Sequence, residues 1–454
     1  MKTTSVSLFL LLFPSVSCYP NVTLTSGELS VTVYLPRSLA GAGETVFYES
    51  TRFDHSSMIG SIRRKKARST WDSSTHGGPL HEVYGANLWR APHNPFWPES
   101  GVGLASEFGV GDDGDFCTYR CGWYGVNNVT NGVLGYQEAR HGESFLKIGV
   151  GELIKGTCQS CDITDVYKFN SPYQFASLPL WSMNQPSVNK VTLEHEAHLK
   201  TFGYRIRKDI VLVDDTLLVT TTLTNLGVQP FSTAWYSHHF FTCDDTPVGP
   251  GYQVDLDLDQ ASAKLYDEPG FLAGWATEMT TYAEVRSTGG SVNVDVKRTI
   301  DPGKRIKAEF RKDDKTEGSF TLNGCGTKIR EDIPDIQRMP TDPVSMYGFN
   351  LYMERDTLSP EPLVLIQLES SHSKTWTQRL VISDSAPQVQ SVDDSRPPLM
   401  YEQSMATVFS SEQHRRTNAS GLVVLFVVCI GAFALLTQRG RRRYESIPDT
   451  TLAL

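Results

Sequence analysis

The sequence predicts an all-β ectodomain followed by a single C-terminal transmembrane helix. Three observations predict it. Apolar residues alternate with polar ones over short stretches, as at Leu29, Val31, Val33 and Leu35, and again at Val292, Val294 and Val296. That is the period of a strand with one packed face. The 36 glycines and 24 prolines punctuate the whole chain, and no long helical period precedes residue 421. Many strands without intervening helices imply a sandwich or barrel. Finally, Gly421 to Thr437 is an uncharged apolar run followed at once by Arg439, Arg441, Arg442 and Arg443.

Taken in order, Met1-Lys2, the apolar Val6 to Phe13 and the small residues of Pro14-Ser-Val-Ser17 read as a secretory signal peptide, residues 1–18. The β-rich domain is expected over 25–385. Residues 386–420, rich in Pro, Ser, Gln and Asp, lack apolar periodicity and read as a juxtamembrane stalk. Residues 421–437 are short for a span but sufficient for a thin bilayer. The arginines keep the tail 438–454 cytoplasmic, giving a single-pass type I protein of the secretory route, at the cell surface or an endosomal or lysosomal membrane. In that tail Tyr444-Glu-Ser-Ile447 has the spacing of a sorting signal for a clathrin adaptor.

The 454 residues carry a net charge of −9, which argues against a nucleic-acid partner. Apart from Cys18 and Cys429, six cysteines remain: Cys117, Cys121, Cys158, Cys161, Cys243 and Cys325. An even number on a secretory route reads as disulfides of undetermined connectivity, although the two close pairs also match zinc-ligand spacing. Asn21 and Asn128 begin glycosylation acceptor triplets.

Candidate chemistry centres on Thr233 to Asp245. Thr216 to Asn225 alternates Leu217, Val219, Thr221 and Leu223, then Asn225-Leu-Gly227 turns the chain into a second β-rich stretch carrying His238 and His239. Neighbours on a strand face opposite ways, so only one of the two histidines can enter a given cleft. Arg52 follows the aromatic Phe47-Tyr48, Glu107 lies in the glycine-rich Gly101 to Gly109, and Glu354 ends the strand Tyr347 to Arg355 just before Leu358-Ser-Pro-Glu-Pro. A histidine, carboxylates and an arginine among aromatic rings suit a polyhydroxylated ligand, since ring faces stack on sugar C–H surfaces and charged groups bind hydroxyls.

These motifs resemble the galactose mutarotase-like superfamily, typified by aldose 1-epimerases, and the resemblance covers about Thr25 to Ser385. Ser237-His-His-Phe-Phe241 is similar to the strand that carries the family's catalytic acid, which implies that role for His238. Leu351-Tyr-Met-Glu354 with the later Pro360 resembles the motif of the catalytic base, which implies Glu354. Thr51-Arg52-Phe53 matches a substrate-binding arginine, and Thr75-His-Gly-Gly78 suggests His76 as the family's second histidine, with His81 and His93 as rival candidates. The resemblance implies a β-supersandwich that interconverts sugar anomers with one acid and one base, and so with no metal or other cofactor. A non-catalytic carbohydrate-binding receptor is the alternative. A polysaccharide lyase or glycosidase on a related sandwich is a third.

Overall fold

A computed structural model describes residues 19–64, 81–85, 103–109, 133–157, 167, 172–241, 246–258, 275–288, 291–311, 318–324, 326–334 and 344–384. The first strands are β1 (Asn21–Ser26), β2 (Leu29–Tyr34), β3 (Met58–Arg64), β4 (His81–Gly85) and β5 (Leu104–Phe108). The short strands β6 (Val133–Leu134), β7 (Ser144–Lys147), β8 (Gly151–Ile154) and β9 (Gln174–Ser177) follow. A run of longer ones comes next: β10 (Trp181–Ser187), β11 (Lys190–Leu199), β12 (Phe202–Val213), β13 (Thr216–Asn225) and β14 (Phe231–His239). After β15 (Gln253–Leu256) comes the single α-helix among the described residues, α1 (Trp275–Tyr282). The rest is β16 (Ala283–Thr288), β17 (Ser291–Val296), β18 (Ile306–Arg311), β19 (Phe320–Gly324) and β20 (Thr327–Asp332), then β21 (Val344–Glu354), β22 (Thr357–Leu368) and β23 (Ser373–Asp384). The domain is all-β, as the alternation predicts.

The described strands form three antiparallel sheets. One holds nine strands in the order β1-β2-β3-β5-β14-β22-β21-β18, with β4 on β3. A second holds ten, β10-β11-β12-β13-β23-β20-β19-β15-β17-β16, and a third four, β6-β7-β8-β9. β13 buries Leu217, Val219, Thr221 and Leu223 and leaves the intervening residues half-buried. This is the pattern of a strand with one face on a core. The turn after it is closed by Gly227 N–H donating to Asn225 Oδ1 at 2.9 Å. The turn carries the chain from the ten-stranded sheet to the nine-stranded one, where every residue of β14 is buried. A strand packed on both faces needs large side chains on each, and the aromatic composition of β14 supplies them.

The two large sheets pack through their inner faces. Trp235 of β14 meets Trp376 of β23 with ring centroids 5.5 Å apart, and Phe108 of β5 meets Trp376 at 6.2 Å. Both tryptophans are fully buried. Rings of this size cost about 3–5 kcal/mol to truncate in a core. All described residues belong to one contact unit, Met1–Gln388. Among the described residues no helix is long and apolar enough to cross a membrane, and the expected span 421–437 lies outside them. The same holds for all six candidate disulfide cysteines, Asn128, His76, Tyr444 and Ile447. Asn21 is described: it stands on β1, half-buried, with Nδ2 donating to Tyr19 O at 2.8 Å.

Candidate functional site

Strand alternation divides β14 between two environments. Trp235, Ser237 and His239 point into the space between the sheets. There Ser237 Oγ donates to Glu331 Oε1 at 3.1 Å, His239 Nδ1 lies 2.9 Å from Glu331 Oε2, and Gln378 Nε2 donates to Glu331 Oε1 at 3.2 Å. Tyr236 and His238 point to the opposite face of the nine-stranded sheet, and the polar groups of that face gather around them.

The neighbours of His238 follow from register. β5 places Ala105 and Glu107 beside His238 and Tyr236. β22 pairs Leu363 with Tyr236 and meets β14 again at Leu358 and Phe241, which sets Glu361 opposite His238. β21 adds Asn350 opposite Glu361 and Tyr352 opposite Ser359. Between Leu358 and Leu363 the β14–β22 ladder is interrupted. Leu358 N–H donates across to Phe241 O at 3.0 Å, so the backbone nitrogens of Pro360 and Pro362 face the same way and have no hydrogen to give. The His238–Glu361 pair stands in this interruption.

His238 Nε2 lies 3.2 Å from Glu361 Oε1, and Ser359 Oγ lies 3.2 Å from Nδ1. Asn350 Nδ2 donates to the other Glu361 oxygen at 3.2 Å. Phe53 and Tyr352 lie edge-on to the imidazole at 5.4 and 5.6 Å, and Phe240 stacks on it at 4.1 Å. Histidine and glutamate are both buried. Burial pushes the Glu361 carboxyl up to about 7, against the pull of Lys307, Asn350 and Arg52. It holds His238 well below its ordinary value, with Arg52, Lys307 and His239 acting in the same direction. Near neutral pH the imidazole is therefore unprotonated and the carboxyl carries a proton for much of the time. Glu361 Oε1 and Asn350 Oδ1 are buried without an aligned hydrogen-bond partner among the described residues.

A second group adjoins this pair. Glu107 accepts from Arg52 Nε at 3.1 Å, from Tyr236 OH at 2.7 Å and from Lys147 Nζ at 3.0 Å, and Arg52 Nη2 donates to Tyr236 OH at 2.9 Å. The Lys147 and Glu107 side chains are inaccessible, and the Arg52 side chain keeps 13% exposure. Burial lowers the Lys147 amine, and Glu107 pulls it back.

The segment carrying Arg52 is anchored from beneath. Lys208, inward-facing on β12, pairs with Asp54 Oδ2 at 2.6 Å and donates to Ser106 Oγ at 2.8 Å. Asp54 Oδ1 accepts from Ser56 N–H at 2.8 Å and caps the short turn after it. Gly149, at φ +77°, lets β7 approach: a Cβ there would stand 2.7 Å from the Asp54 carboxyl carbon. His55 N–H donates to Gly149 O at 3.0 Å, which holds Lys147 close to Arg52.

The structure thus brings His238, Arg52 and Glu107 together and places Glu361, not Glu354, beside His238. Glu354 lies on the same face at the far end of β21, bonded to Tyr352 OH and 2.9 Å from Arg305 Nε. Tyr352, which donates to it, lies edge-on to the His238 ring. Sequence reasoning missed Glu361, Asn350, Ser359, Tyr236 and Lys147. For Glu361 the available signal was its place just after the Glu354 strand, in Leu358-Ser-Pro-Glu-Pro362. Among the described residues no group of histidine, cysteine or acidic side chains has a metal-binding arrangement.

No family model matches the chain, and no curated protein does. Among solved structures it is similar to many galactose mutarotase-like and aldose 1-epimerase family proteins. One is a galactose mutarotase-like protein from Clostridium acetobutylicum, with 9% identity, a TM-score of 0.42, and 80% of this chain and 95% of that one covered. Another, from Lactobacillus casei, gives 10% identity, a TM-score of 0.41 and coverage of 80% and 100%. An aldose epimerase homologue from C. elegans gives 10%, 0.40, and coverage of 81% and 100%.

Proposed function

We propose that the polar face around His238 and Glu361 binds a pyranose and interconverts its anomers, within a β-supersandwich ectodomain held at a membrane by residues 421–437. The observation that carries this reading is the buried pair itself. A buried imidazole nitrogen and a buried carboxyl oxygen lie 3.2 Å apart, with burial pushing their proton affinities toward each other and past. Such a pair holds one transferable proton near neutral pH, which is the equipment of acid–base catalysis.

Anomer exchange acts on two oxygens attached to one carbon. Acid and base must each come within ~2.6–3.2 Å of one of them. His238 and Glu361 stand together on one face, which supports their reaching two such oxygens at once. In the forward step neutral His238 Nε2, with Nδ1–H donating to Ser359 Oγ, takes the anomeric hydroxyl proton. Glu361 gives its proton to the ring oxygen as the C1–O5 bond breaks. The C1 carbonyl of the open chain rotates, and closure returns both protons. The resemblance implied histidine as acid and glutamate as base; burial of this pair supports the reverse. Arg52 and Tyr236 lie beside the pair, placed to hold ring hydroxyls.

The test is anomer exchange followed by NMR on a panel of free sugars. His238→Gln and Glu361→Gln should each lower the rate by ~10²–10⁴-fold, the usual span of a general acid–base group. Glu354→Gln and His239→Gln should cost far less. The wild-type rate should fall as pH rises through about 7, where Glu361 loses its proton, and fall again in acid as His238 gains one. Sugar binding without exchange would replace catalysis by the receptor reading, and equal losses in all four variants would remove the pair from the mechanism.

A further inference from the structure

The His238–Glu361 contact has a polar neighbour at each end. Ser359 Oγ lies 3.2 Å from His238 Nδ1, and Asn350 Nδ2 donates to Glu361 Oε2 at 3.2 Å. The sequence along the face is Ser359, His238, Glu361, Asn350, and all four residues are buried. Register builds this series: β22 supplies Ser359 and Glu361, and β21 sets Asn350 opposite Glu361. Away from water, each such bond also decides where a neighbouring proton can sit.

The outer bond at Glu361 selects one of its two oxygens. An ionised carboxylate only accepts hydrogen bonds. Facing it with Oδ1 would set two acceptors against each other in a buried place, so the amide presents Nδ2. When the carboxyl takes up its proton, Oε2 already serves as an acceptor. The proton is left to Oε1, the oxygen 3.2 Å from His238 Nε2. A reversed amide would draw the proton to Oε2 and away from the imidazole. Asn350 Oδ1 is buried without an aligned partner among the described residues, so the amide is placed for its donor rather than its acceptor.

We propose, on the basis of the function proposed above, that Asn350 is a positioning residue whose amide holds the transferable proton of Glu361 on Oε1, the oxygen that faces His238. The charged groups around this carboxyl come from several elements. Asn350 draws it down, as do Lys307 on β18 and Arg52, while burial and Glu107 on β5 push it up. His238 on β14 meets it directly, and Glu309 on β18 is the register partner of Asn350. Loss of the Asn350 donor therefore moves the carboxyl further up.

Anomer exchange by the full-length protein should be followed against pH for wild type, Asn350→Leu and Asn350→Asp. Both variants should lower kcat ~10-fold with KM little changed, the effect of one buried hydrogen bond used in the chemical step. In Asn350→Leu the alkaline fall in rate should move to higher pH. Aspartate has the shape of asparagine but offers Oε2 a rival for the proton, so a role in shape alone would leave Asn350→Asp as active as wild type. Infrared spectroscopy reads the same proton without sugar. The carboxyl band that disappears as wild-type pH rises through about 7 should show the lowered C=O frequency of a carbonyl that accepts a hydrogen bond, and should move up in Asn350→Leu. A wild-type band at the frequency of an unbonded carbonyl would overturn the inference, and it decides the matter even if both variants fail to fold. Wild-type kcat with an unmoved alkaline limb in both variants would also overturn it and leave the proposed function standing. A bonded, Asn350-dependent band in a protein that exchanges no anomers would do the opposite.

Discussion

Glu361 ties stability to pH with a definite sign. Its carboxyl is raised from 4.5 to about 7 in the folded protein. Between those values the folded state keeps a proton that the unfolded chain has released, so stability falls as pH rises through that window. At 1.36 kcal/mol per pKa unit the fall is on the order of 3 kcal/mol, complete above about pH 7. His238 acts oppositely: its lowered affinity means that the unfolded chain binds a proton the native state lacks, so its contribution rises with pH up to about 6.5. The two oppose each other in weakly acidic solution, and the difference between wild type and Glu361→Gln isolates the glutamate. Urea unfolding from pH 4 to 8 should show the variant gaining on the wild type as pH rises, and a pH-independent difference would contradict this account. His238 was legible in the sequence because an aromatic strand framed it. Glu361 was not, because the flanking Pro360 and Pro362 argue against a strand, and only the paired structure shows that their missing donors leave a gap rather than break β22.

At the scale of elements, the site depends on a brace between layers. Lys208 on β12 carries the segment of Arg52 through Asp54, in an ion pair with no exposure on either side. Removing one partner leaves the other charge buried, which costs about 3–5 kcal/mol. Lys208→Met is expected to lose that much in chemical denaturation, with Asp54→Asn restoring part of it in the double variant. A loss below about 1 kcal/mol would show that the pair is not buried in solution. The alternation of β12 was readable from Tyr204, Ile206 and Ile210, but Lys208 occupies an inward position in that same series. A lysine there reads as surface until the opposite layer supplies Asp54. The turn after Asn225 makes a related point: turn residues specify a reversal, not which sheet receives the next strand.

For the whole molecule, the β architecture was legible because alternation recurs in most of the long strands, whereas the pairing order of the sheets is set by contacts far apart in sequence. The proposed membrane tether follows from the two address signals and the arginine cluster. Expressed in animal cells, the full chain should remain with membranes, and a chain ending at residue 385 should be recovered from the medium. Tyr444→Ala should shift the full chain toward the cell surface. Unchanged partition on truncation would eliminate the tether, and an unchanged location of the tyrosine variant would eliminate the adaptor.

The adjacent histidines also bear on how β14 finds its place. Each has a buried glutamate on its own side, Glu361 for His238 and Glu331 for His239. A slip of one residue exchanges the faces of the entire strand. In the misaligned chain that puts Trp235 in the place of Tyr236, Glu331 meets His238 but Glu361 faces Ser237, so only one of the two polar pairs survives. Bulk adds to the discrimination: Trp235 leaves Trp376 and enters the space of Tyr236, whose hydroxyl Glu107 and Arg52 lose. The residues assigned to chemistry thus fix the alignment only in part, and the tryptophan behind them shares that burden.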